Sequence, residues 1–417
     1  MTRRAKPVVL VVIDGLTPSM LEATDTPALR LLLEHGSYRR AISTFPSLTP
    51  VCLASIATGA APDVHGIPHL VWWNRAEGRL VEYGSSFAAL RAAGLARGLR
   101  DTVVNLNERH LSKRAETIYE ALEDDGLTTA AINITTYRGR TRHLPTIPGA
   151  PAVFGPKRFF FFSLYESDAT GAPLAILNRA LGSIDAYAAA VGRWLVTRDG
   201  FDLLVFYLPD YDFASHALGP DAAHEALARA DASIATLLAA AGGPDEFLDR
   251  YAVVLCSDHG QTSIERAARL HVNGARVTAS NRAAMLYGDD PRSLAAALDG
   301  EPSVGVAAFL DGGRLVARRD GDEDVALLAE HPDGVARMAA ALGNPNAGEV
   351  LVSAADGWEF VDLAGRHHIG GGSHGSLAAA DSEVPMLTIG LGAPPASIIG
   401  IKQLLLEHFG MRVSRAA

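Results

Sequence analysis

The sequence holds only two cysteines in 417 residues, Cys52 and Cys256, far apart and each in apolar surroundings. That rules out a disulfide framework and a zinc-finger spacing, and both read as core residues. No Lys- or Arg-rich block occurs, and the formal net charge is -10. A grip on a nucleic-acid polymer through backbone charge is therefore not expected, and a small anionic substrate would need a local positive centre. No run approaches the roughly 18 apolar residues of a membrane span. Basic residues precede an apolar stretch at 7–13, but it is short, ends at Asp14 and lacks a small-residue cleavage site, so it is not read as a signal peptide. The expectation is a soluble cytoplasmic protein. Internal repeats, low-complexity tracts and a G-x-S-x-G elbow are also missing.

What is present is an ordinary globular composition, 48% apolar and 20% charged, with ample material for a core. Residues 7–13 read as a buried strand ending in Asp14-Gly15, and in open α/β sheets ligands bind outside the carboxyl ends of the strands. Further strands are expected at 127–134, 202–208, 251–256 and 384–390. Helices are expected at 26–35, 115–125, 173–196, 222–241 and 395–409. The segment 66–86, with Trp72, Trp73 and Tyr83, reads as a loop or hairpin beside the site, and Phe159 to Phe162 as a strand, a lid or an apolar wall. From 261 to 365 the pattern turns to shorter, more charged elements, with strands at 283–287, 304–311 and 314–318 and helices near 293–298 and 334–342. This stretch reads as an inserted subdomain or cap.

Chemistry gathers at a few strand and helix ends. In 43–66, STFPSLTPVCLASIATGAAPDVHG, Thr49 stands before Pro50 and reads as the N-cap of a helix running to Gly59. A helix N-terminus can hold a phosphate while such a hydroxyl faces the phosphorus. After the strand at 202–208 come Asp210, Asp212 and His216, the last two spaced i,i+4 on one helical face. Asp258 and His259 follow the strand at 251–256, and a glycine-rich loop at 366–377 carries His374. Taken singly, a surface pair or plain turn chemistry explains each of these. Together, if the strands are parallel neighbours, Asp14, Asp212, Asp258, His216, His259 and His374 converge at one sheet edge. Six such donors exceed one tetrahedral zinc and suit two metals with a bridging group, with Thr49 as the bridge or beside it.

The motifs VVIDG, PSLTPVCLASIATG, APDVHGI, DFASHALGP, CSDHG and GGSHG, in this order and spacing, resemble those of the alkaline phosphatase superfamily. The likeness is strongest to its type I phosphodiesterase/nucleotide pyrophosphatase branch. The resemblance implies an α/β/α sandwich around a largely parallel central sheet; with the change of pattern at 261, residues 1–260 and 366–417 read as the catalytic core and 261–365 as an inserted smaller subdomain or cap. It implies Asp14, Asp258 and His259 as ligands of one zinc and Asp212, His216 and His374 as ligands of the other, with Asp212 preferred over Asp210 by its spacing to His216. Thr49 matches the nucleophile, itself beside the metals, and passes through a covalent phosphothreonine that water resolves.

Two positions depart from the branch. Pro50 stands where an aromatic residue helps grip the substrate, and Leu70 where an asparagine holds the phosphate, leaving His69, Asn74 or a backbone N–H as substitute donors. The expected activity is a metal-dependent phosphodiesterase acting on a small phosphoester. A phosphomonoesterase or phosphonate hydrolase of the same superfamily is one alternative, and a non-catalytic metal-binding module is another. The absence of Cys-x-Pro-x-Arg around Thr49 argues against a sulfatase, and a serine hydrolase built on Ser373 or Ser376 lacks its elbow. Zinc suits the donors, with manganese or iron as other occupants.

Overall fold

VVLVVI, residues Val8–Ile13, is buried at every position, as a parallel strand covered on both faces requires. In the computed structural model, which describes residues 5–167, 170–172, 182–198 and 200–411, it lies inside an eight-stranded sheet. The strands are β1 (Val8–Ile13), β2 (Ser37–Ile42), β3 (Thr129–Ile132), β4 (Arg158–Phe161), β5 (Tyr165–Ser167), β6 (Leu203–Leu208), β7 (Ala252–Cys256) and β8 (Glu383–Ile389). Their spatial order is β2-β8-β7-β1-β6-β3-β4-β5. The five from β7 to β4 are parallel, while β8 pairs antiparallel with β7 and β2, and β5 with β4.

Alternate residues of β1 enter different cores, because successive side chains of a strand point to opposite faces. Val9, Val11 and Ile13 pack with Leu29, Leu195 and Leu237 of the helices Pro27–His35, Ile184–Val196 and His224–Ala240. Val8, Leu10 and Val12 pack with Leu53, Leu122 and Leu405 of the helices Thr49–Thr58, Ile118–Asp124 and Gly400–His408. Cys52 and Cys256 are free, buried members of the second core. The N-terminal part of the helix expected at 173–196 lies outside the described residues. Among the described residues no helix is long and apolar enough to cross a membrane.

A second sheet of six antiparallel strands runs in the order Arg276–Ser280, Ala283–Tyr287, Val350–Ala354, Val304–Asp311, Arg314–Arg319, Asp322–Glu323. Helix α1 (Thr49–Thr58) is clamped between the two sheets. Cys52, Leu53 and Ile56 face the main sheet, and Val51 and Ala54 join Met285, Val306 and Leu351 of the second. Every residue from Pro50 to Thr58 is consequently buried. Arg282, also fully buried, locks the sheets together by donating to Asp381 (2.8 Å), Thr262 Oγ1 (2.6 Å) and the carbonyls of Trp358 and Ala355 (both 3.0 Å).

The start of α1 differs from the sequence reading. Leu48 is the N-cap, Thr49 is the first helical residue and Pro50 the second, while Gly59 closes the helix at φ +65° as expected. Proline is tolerated anywhere in the first turn, where N–H groups have no intrahelical acceptor. The shift by one residue has a chemical result: the Thr49 hydroxyl makes no capping bond.

Candidate metal centre

Neighbouring strands bring the acidic residues together. β7, β1 and β6 lie side by side and parallel, so Asp14, one residue beyond β1, and Asp258, two beyond β7, emerge at the same edge. β6 continues through Pro209 into helix α2 (Asp210–Leu218), which carries Asp212 and His216 one turn apart. Asp210 turns away and exchanges backbone–carboxylate bonds with Asp185. Gly15 adopts φ +68°, and a Cβ there would stand 2.6 Å from Gln261 Nε2 and 2.8 Å from Asp212 Oδ1, so only glycine fits both the backbone and the space. His374 arrives on the loop whose Gly372–Ser373 pairs with Thr262–Ser263. There Gly371 lies so close to α2 that a Cβ would be 2.0 Å from the His216 carbonyl.

The sequence-derived residues meet around His259 Nε2. Asp14 Oδ1 lies 3.2 Å from it, Asp258 Oδ2 3.6 Å and Thr49 Oγ1 3.1 Å. Donors about 2.0–2.1 Å from a tetrahedral zinc stand about 3.3 Å from one another, which is the spacing seen. Asp14, Asp258 and His259 form one group able to hold a cation, and Asp212, His259 and His374 a second. The rings of His259 and His374 stack at 3.6 Å, which is why His259 belongs to both groups. His216 stands outside these triads but touches Asp212, with Nε2 3.2 Å from Oδ2.

The donor chemistry fits a cation. Each histidine directs Nδ1 at a backbone carbonyl: His216 at Gly372 (2.8 Å), His259 at Gly260 (3.0 Å) and His374 at Ser47 (2.7 Å). A hydrogen on Nδ1 leaves the Nε2 lone pair for a metal, the arrangement that fixes tautomer and ring orientation in metal sites. The carboxylates are half-satisfied in a matching way. Asp14 Oδ2 accepts from the Tyr207 hydroxyl, and Asp258 Oδ1 from the N–H groups of Gly15 (3.2 Å) and His259 (3.1 Å). Asp14 Oδ1 and Asp258 Oδ2, the oxygens facing His259, are buried with no hydrogen-bond partner.

Charge is correspondingly strained. Burial and the Asp14 carboxylate push Asp258 well above the usual carboxylate range. Burial works against charge on His259, but the Asp258 and Asp14 carboxylates outweigh it and raise the imidazole. Burial also opposes charge on Asp212, yet His216, His374 and His259 hold it below its ordinary value. His374 is driven well down by burial and then by His259. Buried like charges without a counter-ion raise one another's cost, and a cation among them relieves it.

A cavity of about 430 Å³ opens onto this cluster, within the size range of small-molecule sites. Thr49, Pro50 and Leu70 line it. The substitute donors considered for Leu70 lie elsewhere: His69 is fully buried between the Val71 N–H and the Ala283 carbonyl, and Asn74 Oδ1 accepts from the Glu77 backbone within a hairpin. The Trp-bearing segment is that hairpin, Val71–Asn74 with Arg79–Glu82, and Trp72 is core.

Three residues that support or face the cluster were not singled out from the sequence. Tyr207 ends a strand read only as apolar. Gln261, next to the Asp258-His259-Gly260 motif, donates to Asp212 Oδ1 (2.5 Å) and accepts from Ser215 Oγ (2.5 Å). Asn281, at φ +57°, lines the cavity with Nδ2 3.3 Å from His374 Nε2. Adjacency to a ligand motif could have flagged Gln261. Asn281 comes from the second sheet and carried no such signal.

No curated protein matches the sequence. Among solved structures, murine ectonucleotide pyrophosphatase/phosphodiesterase 5 is similar over 99% of this chain and 97% of its own, with TM-score 0.68 and 15% identity. An inactive threonine-to-alanine variant of that mouse protein, in complex with AMP, has TM-score 0.67 and 15% identity over the same shares. Phosphonoacetate hydrolase from Sinorhizobium meliloti in complex with phosphonoformate is similar over 97% of this chain and 96% of its own, with TM-score 0.65 and 19% identity. At such identities the likeness is one of fold, the alkaline-phosphatase-like α/β/α arrangement expected from the motifs. The family model described as type I phosphodiesterase / nucleotide pyrophosphatase matches residues 8–377, and the chain thus belongs to that family of phosphoester hydrolases.

Proposed function

We propose that this chain is a metal-dependent phosphodiesterase that works through a covalent phosphothreonine on Thr49. The observation that carries the reading is the Thr49 hydroxyl, free of any capping duty and 3.1 Å from His259 Nε2 at the edge of the carboxylate–imidazole cluster. Asp14, Asp258 and His259 would hold one divalent cation, and Asp212, His374 and His216 the other. When bound, two such ions, zinc by the donor set, supply positive charge to an anionic phosphoryl group and lower the proton affinity of a neighbouring hydroxyl.

Thr49 Oγ1 releases its proton to solvent and attacks phosphorus as the bond to the leaving oxygen breaks on the opposite side, the leaving oxygen taking a proton from solvent in turn. The phosphothreonine formed from a diester keeps the second ester arm; water then attacks its phosphorus, breaking the bond to Oγ1, restoring the hydroxyl and releasing a phosphomonoester. In the first turn of α1 Pro50 has no N–H and the Val51 and Cys52 N–H groups donate to the Leu48 carbonyl, so the Thr49 N–H is the group left to face a phosphoryl oxygen. Tyr207, Gln261 and the three backbone carbonyls hold the cluster side chains in orientation. The inactivity of the threonine-to-alanine variant of the mouse protein is in keeping with such a role. On the same reading, residues 1–260 and 366–417 form the catalytic core and 261–365 a cap on it.

The test is Thr49→Ala with bound zinc and turnover of bis(p-nitrophenyl) phosphate measured on one preparation. Loss of turnover with the metal retained, and a p-nitrophenyl phosphoryl adduct on Thr49 trapped by acid quench of the wild type, are expected. Near wild-type rates in Thr49→Ala would overturn the assignment.

A further inference from the structure

The cavity beside Thr49 is unusual in what its mouth exposes. Of the four exposed phenylalanines among the described residues, Phe87, Phe154, Phe162 and Phe213, three line this one cavity. They come from separate elements. Phe87 opens the helix Phe87–Ala93 and is 66% exposed, and Phe213 follows Asp212 on α2 and is 58% exposed. Phe162 sits in the turn after β4 at φ +46°, with its N–H donated to Asn133 Oδ1 (3.0 Å) and its ring edge-on to Phe161. Large apolar side chains held in water around a reactive centre mark a binding surface.

Charge is the complementary observation. Among the described residues lining the cavity there is no lysine or arginine. His368 is engaged, with Nδ1 2.9 Å from Glu359 Oε2 and its ring stacked on His216. Beyond the cation cluster itself, no lysine or arginine on these walls would pair with a second anionic group on the substrate. Moving such a group from water to an aromatic wall costs free energy without a partner to repay it.

We infer that the preferred substrate is a phosphodiester with an uncharged aromatic or similarly bulky apolar ester arm, seated among Phe87, Phe162 and Phe213. A diester arm bearing a carboxylate or a further phosphate is disfavoured. This rests on the phosphodiesterase reading above and narrows its substrate class. It also disfavours the phosphonate-hydrolase alternative wherever the phosphonate carries a second acid.

The experiment uses the full zinc-loaded chain with bis(p-nitrophenyl) phosphate as substrate and three competing diesters: diphenyl, dimethyl and bis(4-carboxyphenyl) phosphate. Diphenyl phosphate is expected to inhibit at least about tenfold more tightly than dimethyl phosphate, the scale of burying one ring, and more tightly than the carboxylated diester. Phe87→Ala and Phe213→Ala, on separate elements, are each expected to shrink the diphenyl-to-dimethyl ratio. Calorimetric binding of the same diesters to Thr49→Ala should give the same order without turnover.

If bis(p-nitrophenyl) phosphate is hydrolysed but the diesters bind alike, or the carboxylated one binds best, this inference is overturned and the phosphodiesterase reading stands. No hydrolysis of bis(p-nitrophenyl) phosphate overturns the catalytic reading and this one with it.

Discussion

Gly15→Ala tests whether the metal centre depends on close packing behind its ligands. Two effects act at this position and can be separated. At φ +68° an alanine pays the left-handed backbone cost, about 1–2 kcal/mol. Its Cβ also meets Gln261 Nε2 at 2.6 Å and Asp212 Oδ1 at 2.8 Å, so both must retreat by about 0.6–0.8 Å to reach ordinary contact near 3.4 Å. That exceeds the roughly 0.5 Å within which a working constellation has to be held. A loss of about 10- to 100-fold in metal affinity follows, as for other changes behind a ligand.

Gly78→Ala is the control. Its φ is +61° and nothing lies within 4 Å of the added carbon, so it bears the backbone cost without the contacts. Urea unfolding should show both variants destabilised by about 1–2 kcal/mol at least, while a chelator competition should show weakened zinc binding in Gly15→Ala alone. Equal zinc affinity in wild type and Gly15→Ala would refute the reasoning.

Two further substitutions test electrostatics away from the cluster. Burial pushes Glu82 up to about 7 from an unfolded value of 4.5, so the folded chain binds the extra proton between those values. Stability from this group is full below about pH 4.5 and is lost as pH rises through 7, a change of about 3 kcal/mol. In Glu82→Gln, whose amide oxygen can still accept from the Gly84 and Ser85 N–H groups, melting temperatures from pH 5 to 8 should fall less than in wild type; parallel curves would refute this. Arg282→Met removes the buried partner of Asp381 and should cost about 3–5 kcal/mol in chemical unfolding; a loss under 1 kcal/mol would mean that the pair does not tie the sheets together.

The sequence revealed the elements whose patterns were unambiguous. β1, β6 and β7 are continuous apolar runs because both faces are covered, and each announces its end with an acidic or turn residue. β2 was missed because SYRRAI is an edge strand with Arg39 and Arg40 exposed, a composition that discourages further pairing and conceals the strand. Val350–Ala354, central in the second sheet, was missed as well, although it is as long as the strand read at 283–287. The π-helical stretch Asp101–His110 carries no sequence signal that the reading could use. At the site, residue type and strand-end position pointed to Asp14, Asp212, Asp258 and three histidines. Of the cavity's aromatic rim only Phe162 was foreshadowed, in the run read as a strand, a lid or an apolar wall; Phe87 and Phe213 come from separate elements, and only tertiary structure brings the three together.

The position of β1 also shapes the protein's synthesis. Val8 lies beside both Leu203 and Ala252, so this wholly apolar ribbon is made long before either neighbour leaves the ribosome. Throughout that interval its two hydrogen-bonding edges stand open, an invitation to mispairing with other nascent chains. Slowing the ribosome ahead of residue 203 should therefore cost more soluble protein than slowing it after residue 256.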